Sequence, residues 1–473
     1  MSFPSLNIKT EGFRPPPTRR WRLWDPPFLT VGNRVIVLAM VSLQVVWLSA
    51  IWFLRVSGDE GKIPLVLGYT ILVGLLASAF RPAILERCLE ILIARPGLRA
   101  LVFGSVCLGV GLLYASQQRI WPYDEEGLFA AAKGVAEQGP LSLFTSYRSH
   151  PWLGRQHPPL APLLYGGFLT LFGDHLFTAR LLSLTLLAGT GTLTFLIGRE
   201  LYDTRTGILA TGFLMSMPLI WRIGTAAMVE PLLIFFFCAT LFLTLRFVRS
   251  PGTGMAVAVG LTFACGMLAK YTMLLILPVL VGFCAVRLSG RSFVKALALG
   301  GLIGLPLLSI WGFYAWHNGL LYKHIMWIWF AGLQVVRYDY GRQLLFETMT
   351  NRLPSALGFY NLPFIVIGLL QLVRRRGQAD WMVLLWILPV FCILTVTLPD
   401  HRYFMVLFPA FSISMAACLA REDSRTVGIL LVALLLCAGS LYVFVDWDRV
   451  NHLFLDERYV RPVPLIPPAA TFK

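Results

Sequence analysis

A few charged residues at the borders of long apolar runs are the side chains best suited to chemistry in this chain. The first are Asp124 and Glu125, in Trp121-Pro122-Tyr123-Asp124-Glu125-Glu126-Gly127. Residues 128–136 follow with helical composition and one apolar stripe, which places Asp124 at a helix start on the water–lipid boundary. The second is Glu230, in Met228-Val229-Glu230-Pro231-Leu232, at the outer end of a strongly apolar helix. Ionisable groups in apolar spans are costly and are functional candidates by default. A helix dipole also favours an acid at a helix start, so position alone does not separate the two roles. If Asp124 and Glu230 converge, they suit a base and its orienting partner.

Three basic groups stand at the same level. Lys270 follows an apolar helix, Arg402 sits in Pro399-Asp400-His401-Arg402-Tyr403, and His157 precedes Pro158-Pro159-Leu160. A lone Lys or Arg at a helix end usually anchors the helix at the interface. Several of them on one face suit a bound anion such as a lipid-linked phosphate.

The elements that hold these residues follow from composition. The chain has 473 residues, 57% hydrophobic and 14% charged, and its mean hydropathy is +0.71. Soluble domains carry roughly 45–50% apolar and about 25% charged residues. This chain therefore reads as an all-α polytopic membrane protein, and a soluble enzyme, a disordered chain and a disulfide scaffold are excluded. The net charge of +16 does not indicate nucleic-acid binding, because no zinc spacing, basic helix or RNA motif accompanies it. The eight cysteines show no CxxC spacing, seven of them lie inside apolar runs, and no disulfide or metal–thiolate site is expected.

Apolar runs long enough to span occur at 35–54, 63–80, 100–115, 178–197, 207–221, 226–245, 254–268, 271–286, 296–314, 361–373, 380–398, 403–419 and 427–445. The run at 158–172 is shorter and opens with two prolines, which fits a re-entrant or interfacial helix. With the amino terminus inside and that run not crossing, the Arg-rich stretches at 81–99, 199–205, 246–249, 287–295, 374–376 and 421–425 all fall inside. This is the positive-inside pattern. About thirteen crossings are expected, with outer stretches at 116–177, 315–360 and 446–473. The first helix has no cleavage-site pattern before it and is expected to stay in the mature protein.

The order of these features resembles the GT-C glycosyltransferases. The features are the acidic pair opening the first outer loop, the x-Pro-Pro-Leu segment followed by Phe172-Gly173, Thr178-Ala179-Arg180-Leu181, the acidic helix start at Glu230, and the late Arg402-Tyr403. The chain is most similar to the branch holding protein O-mannosyltransferases and lipid A aminoarabinose transferases, over roughly 101–409. The resemblance implies transfer of one sugar from a polyprenyl-phosphate carrier to a lipid, glycan or protein acceptor on the outer face, with no cofactor and no metal. It implies that Asp124 is the base or acceptor-orienting group, paired with Glu125, and that Glu230 is a second catalytic acid. His157, Lys270, Arg402 and Tyr403 are implied to face the donor phosphate.

Two positions depart from the family pattern. Gly127 stands where relatives often have Arg, and His157 stands where Lys is common. An unperturbed imidazole titrates near 6.5, so His157 is expected to be a pH-dependent cation. The implied division is a cytoplasmic tail with two extra transmembrane helices (1–99) and a catalytic transmembrane module (100–314). An outer loop (315–360), C-terminal transmembrane helices (361–445) and an outer tail (446–473) complete it. The predominance of Arg over Lys and the lack of an Asn-x-Ser/Thr sequon point to a bacterial inner membrane. The competing class is a transporter or flippase of lipid-linked sugars. Such proteins place ionisable groups near the midplane and often show repeated halves. Here the charges gather at outer helix ends and no repeat is visible.

Overall fold

The structure is a computed structural model. It describes residue 87 and residues 90–420 apart from 118, 119, 122, 288, 289, 332, 333, 338, 359, 360 and 398. The expected helices at 35–54, 63–80 and 427–445 and both terminal tails lie outside the described residues. Among the described residues every regular element is helical.

The chain enters the described region with α1 (Pro96–Gln117) and reaches the 116–177 stretch, expected as the first outer loop, which folds into four short helices. These are α2 (Asp124–Gln138), α3 (Ser142–Ser146), α4 (Leu153–Gln156) and α5 (Leu160–Phe172). At ~1.5 Å per residue α5 is about 20 Å long, too short for a hydrocarbon core of about 30 Å. It packs on α2 instead, and the Tyr165 hydroxyl fixes it by contacting Ser183 Oγ at 2.7 Å and donating to the Met228 carbonyl at 2.9 Å.

Next come α6 (Leu176–Leu201), α7 (Thr204–Met215), α8 (Pro218–Gly224), α9 (Val229–Arg249) and α10 (Thr253–Ala269). The run at 207–221, expected as one helix, is broken at Ser216-Met217 and bent by 70°. Pro218 is the physical reason, since its ring lacks an N–H and disfavours helical geometry in the preceding residue. The run at 271–286 begins with a 3₁₀ turn (Tyr271–Ile276) before α11 (Leu277–Arg287).

After α12 (Gly290–His317), the expected outer loop at 315–360 is largely helical. It holds α13 (Leu320–Ala331), α14 (Gln334–Arg337), α15 (Asp339–Glu347), a π turn and α16 (Leu353–Leu357). The described part ends with α17 (Leu362–Arg375), α18 (Gln378–Val396), a 3₁₀ turn (Tyr403–Leu407) and α19 (Phe408–Leu419).

Among the described residues, Pro96–Ser116, Leu176–Leu201, Val229–Arg249 and Gln378–Val396 are long and apolar enough to cross a membrane, and the bent α7–α8 pair adds a broken span. Shorter apolar helices among the described residues include Leu160–Phe172, Thr253–Ala269 and Tyr403–Leu419. The core lies where α6, α7, α9, α18 and α19 meet, around Phe213, Phe237, Trp386 and Phe408.

The two ends of the bundle differ in chemistry. Arg246 and Arg249, at the C-terminal end of α9, pair with Glu200 at 3.2 and 2.9 Å. Arg375 pairs with Asp380 at 2.8 Å, and Tyr202, two residues after Glu200, donates to the same carboxylate at 2.8 Å. Glu230 lies at the other end of α9, about 30 Å away by the helical rise. That end carries the candidate site.

Candidate active site

Asp124 and Glu125 open α2 directly after Tyr123, whose backbone has φ 67°. A bulky side chain in that region is strained, and surrounding contacts must hold it there. The Tyr123 amide donates to Glu126 Oε2 at 3.5 Å, closing the first turn. Consecutive residues on a helix point about 100° apart, so the acidic pair splits into two environments.

Glu125 is fully buried and makes a bidentate pair with Arg180, Nε to Oε1 at 2.8 Å and Nη2 to Oε2 at 2.9 Å. It also accepts from the Ala227 amide at 2.8 Å and the Trp121 amide at 2.9 Å. Arg180 in turn donates to the Ala115 carbonyl at 3.0 Å. One carboxylate thus ties the end of α1, the start of α2, α6 and the strap before α9. Its lone pairs are committed to the protein. Its geometry is that of a structural clamp, and Arg180, which belongs to the sequence motif but carries no role there, is its partner.

Asp124 faces a different group. Arg402 Nη1 donates to its Oδ2 at 2.5 Å, and Trp152 Nε1 donates to its Oδ1 at 3.3 Å. Arg402 is shared with Asp400, through Nε at 3.3 Å and Nη2 at 3.2 Å. Burial works to raise the Asp124 pKa, but the Arg402 charge and hydrogen bond, with His157 and Lys270 behind them, hold the carboxyl below its usual range. Asp400 is opposed by burial in the same way and held well below that range, chiefly by Arg402 and then by His401.

Glu230 pairs with Lys270, Nζ to Oε1 at 2.7 Å. The same ammonium lies 4.5 Å from the centre of the Tyr403 ring, a cation–π arrangement. The 3₁₀ turn at 403–407 carries Tyr403 there directly after Arg402. The structure therefore gathers Asp124, Glu230, Lys270, Arg402 and Tyr403 at one end of the bundle, as carboxylate–cation pairs.

His157 reaches the same group in altered form. Its ring stacks on Trp152 with centroids 3.7 Å apart and planes 10° apart, and its carbonyl accepts from the Tyr147 hydroxyl. Burial pushes the imidazole down to about 3, so it is neutral at physiological pH. The expectation of a cation titrating between pH 6 and 8 does not hold, because desolvation outweighs the pull of Asp124. Trp152 also explains Gly127: a Cβ there would lie 2.5 Å from Trp152 Cγ, so an arginine at this position and the indole exclude each other.

One residue of the 315–360 stretch, His324, reaches the residue after Lys270. The His324 Nδ1 lies 2.7 Å from the Tyr271 hydroxyl, which accepts from Trp311 Nε1 at 3.0 Å. The Trp311 ring is 5.1 Å from that of Tyr147 and 5.6 Å from that of Tyr314. Nothing in the sequence order marks these aromatics as neighbours of the 116–177 stretch.

The structure is similar to that of ArnT from Cupriavidus metallidurans bound to undecaprenyl phosphate. The TM-score is 0.55 at 15% identity, over 76% of this chain and 77% of that one. The chain has the GT-C fold.

The same fold links it to the Archaeoglobus fulgidus oligosaccharyltransferase in its complex with Zn and sulfate, at TM-score 0.51 and 13% identity, over 71% of this chain and 53% of that one. The archaeal oligosaccharyltransferase AglB, in complex with an inhibitory peptide and a dolichol-phosphate, is similar at TM-score 0.50 and 14% identity, over 75% of this chain and 56% of that one. A family model described as dolichyl-phosphate-mannose-protein mannosyltransferase matches residues 156–314. That window holds His157, Arg180, Glu230 and Lys270, while Asp124 and Arg402 flank it. No curated protein sequence matches the chain. The GT-C fold and the apolar helices make this a multi-pass membrane protein.

Proposed function

We infer that this protein is an integral-membrane glycosyltransferase. It moves one sugar from a polyprenyl-phosphate donor to a lipid, glycan or protein acceptor on the outer face of a bacterial inner membrane. The observation that carries the reading is the meeting of Asp124–Arg402 and Glu230–Lys270 at one end of a GT-C bundle, opposite the arginine-rich end. By this reading the catalytic module spans 100–314, and 315–360 is an outer loop.

In the reaction, the acceptor oxygen attacks the anomeric carbon while the bond from that carbon to the phosphate oxygen breaks. Asp124 orients the acceptor and takes its proton, and the polyprenyl phosphate leaves as an anion. An anionic leaving group needs cations and not a general acid. Lys270 and Arg402 retain N–H groups beyond those used by Glu230, Asp124 and Asp400, since an ammonium has three donors and a guanidinium five. Donor phosphate drawing Arg402 toward itself loosens the bond to Asp124 and restores basicity to that carboxylate. Glu230 positions Lys270, and Tyr403 covers its far side.

The test is a transfer assay with a panel of polyprenyl-phosphate-linked sugars and purified protein. Release of polyprenyl phosphate from at least one donor is expected. Asp124→Asn is expected to fold normally and lose about 10²–10⁴ in rate. Donor translocation without bond cleavage would replace this reading with a transporter or flippase.

A further inference from the structure

The two positions that break the family pattern, Gly127 and His157, touch the same residue. Trp152 sits in the notch above Gly127, stacks flat on His157 and donates its indole N–H to Asp124 Oδ1. It is 2% exposed, so the ring is held by packing and not by water. On its other flank the His150 Nδ1 accepts from the Trp152 and Leu153 amides, each at 3.3 Å, which fixes the turn leading into α4. The Tyr147 hydroxyl anchors the His157 carbonyl on the far side of that short helix. The indole is therefore clamped along its edge, its face and its backbone.

We propose that Trp152 is the positioning residue of Asp124, and that Gly127, Trp152 and His157 form one unit holding this carboxylate with a neutral donor. This rests on the glycosyltransferase reading above. An indole N–H can only donate, so it favours the ionised carboxylate and fixes which oxygen it holds. With Oδ1 held by Trp152 and Oδ2 held by Arg402, the carboxylate plane is set by two groups that come from distant parts of the chain. When donor phosphate draws Arg402 away, the indole contact remains and keeps Asp124 aimed at the acceptor. Gly127 is part of the unit because any Cβ would displace the ring, and His157 is part of it because its ring lies flat on the indole.

The experiment labels the full-length protein in detergent with 5-fluorotryptophan and assigns the Trp152 ¹⁹F resonance by its loss in Trp152→Phe. The resonance should move in Asp124→Asn and in Gly127→Ala, with or without any turnover. An unmoved resonance in both variants overturns the proposal, whatever the transfer assay shows. Where donor is consumed, Trp152→Phe should lower kcat about tenfold or more and leave the donor KM within about twofold. The acid limb of its pH–rate profile should rise, because the anion has lost a donor. Gly127→Ala should lower kcat similarly, and the double variant should be no worse than Trp152→Phe, as residues acting through one contact are not additive. Additive losses in kcat with unshifted pH profiles would show that the ring only fills space. Failure of the wild type to consume any donor, with the resonance still responding to Asp124→Asn, would remove the function reading and leave the contact intact.

Discussion

Asp124 shares the Arg402 guanidinium with Asp400, and that sharing sets what the carboxylate does. Its pKa is depressed, so it stays anionic through neutral and mildly acidic pH. It adds stability above the unfolded value of about 3.9 and loses it as pH falls through the folded one. The wild-type rate should therefore show no acid limb from Asp124 in its free state above pH about 4. Arg402→Gln removes the largest lowering influence and leaves burial to act, so an acid limb in kcat/KM should appear at higher pH, with donor KM raised roughly tenfold. A pH profile identical to wild type would sink this account.

Glu125, one residue on, should behave oppositely. Glu125→Gln leaves the buried Arg180 charge unopposed, which costs about 3–5 kcal/mol, so the variant should fail in thermal unfolding and membrane yield. A well-folded but inactive Glu125→Gln would return this residue to the chemistry. At this scale the sequence singled out Asp124, Glu230, Lys270 and Arg402 as charged residues beside apolar runs, and the family resemblance added Tyr403. Their pairing was not legible there, nor was the division of Asp124 from Glu125, because a pairing depends on which helix ends meet.

The elements place these groups through close helix crossings and short straps. α10 carries Lys270 at its C-terminal end, and it crosses α12 at Gly260, where a Cβ would run into the Gly300 carbonyl oxygen. Backbone against backbone leaves no flexible atom to give way. Gly260→Leu should therefore separate the two helices, lower thermal stability in detergent and reduce the Glu230–Lys270 contact. Gly252→Ala, with open space around its Cβ, should match the wild type. Equal melting temperatures for Gly260→Leu and Gly252→Ala would refute this crossing. The break between α7 and α8 belongs to the same scale: composition announces an apolar run, but only the placement of Pro218 and its neighbours shows where the run turns.

Across the whole molecule, charge is sorted by end. Glu230 and the Glu200–Arg246–Arg249 cluster lie at opposite ends of helices that run the length of the bundle. By the proposed topology, Ser142 on the first outer loop and Thr204 at the start of α7 face opposite sides of the membrane. Single cysteines at these two positions should react with an impermeant maleimide from opposite sides of sealed vesicles. Reaction of both from one side would invert or break the topology.

Helical class, membrane location and the short helix at Leu160–Phe172 followed from the sequence, because apolar length and proline placement are local properties that water and lipid read directly. The charged residues worth attention were also local, since an ionisable group beside an apolar run is costly wherever the chain then goes. Three things came only from the packed chain: the neutral state of His157, the burial of Glu125 on Arg180, and the seat of Trp152 between Gly127 and Asp124. Each depends on desolvation or contact between segments far apart in sequence, and those energies exist only once the helices have met.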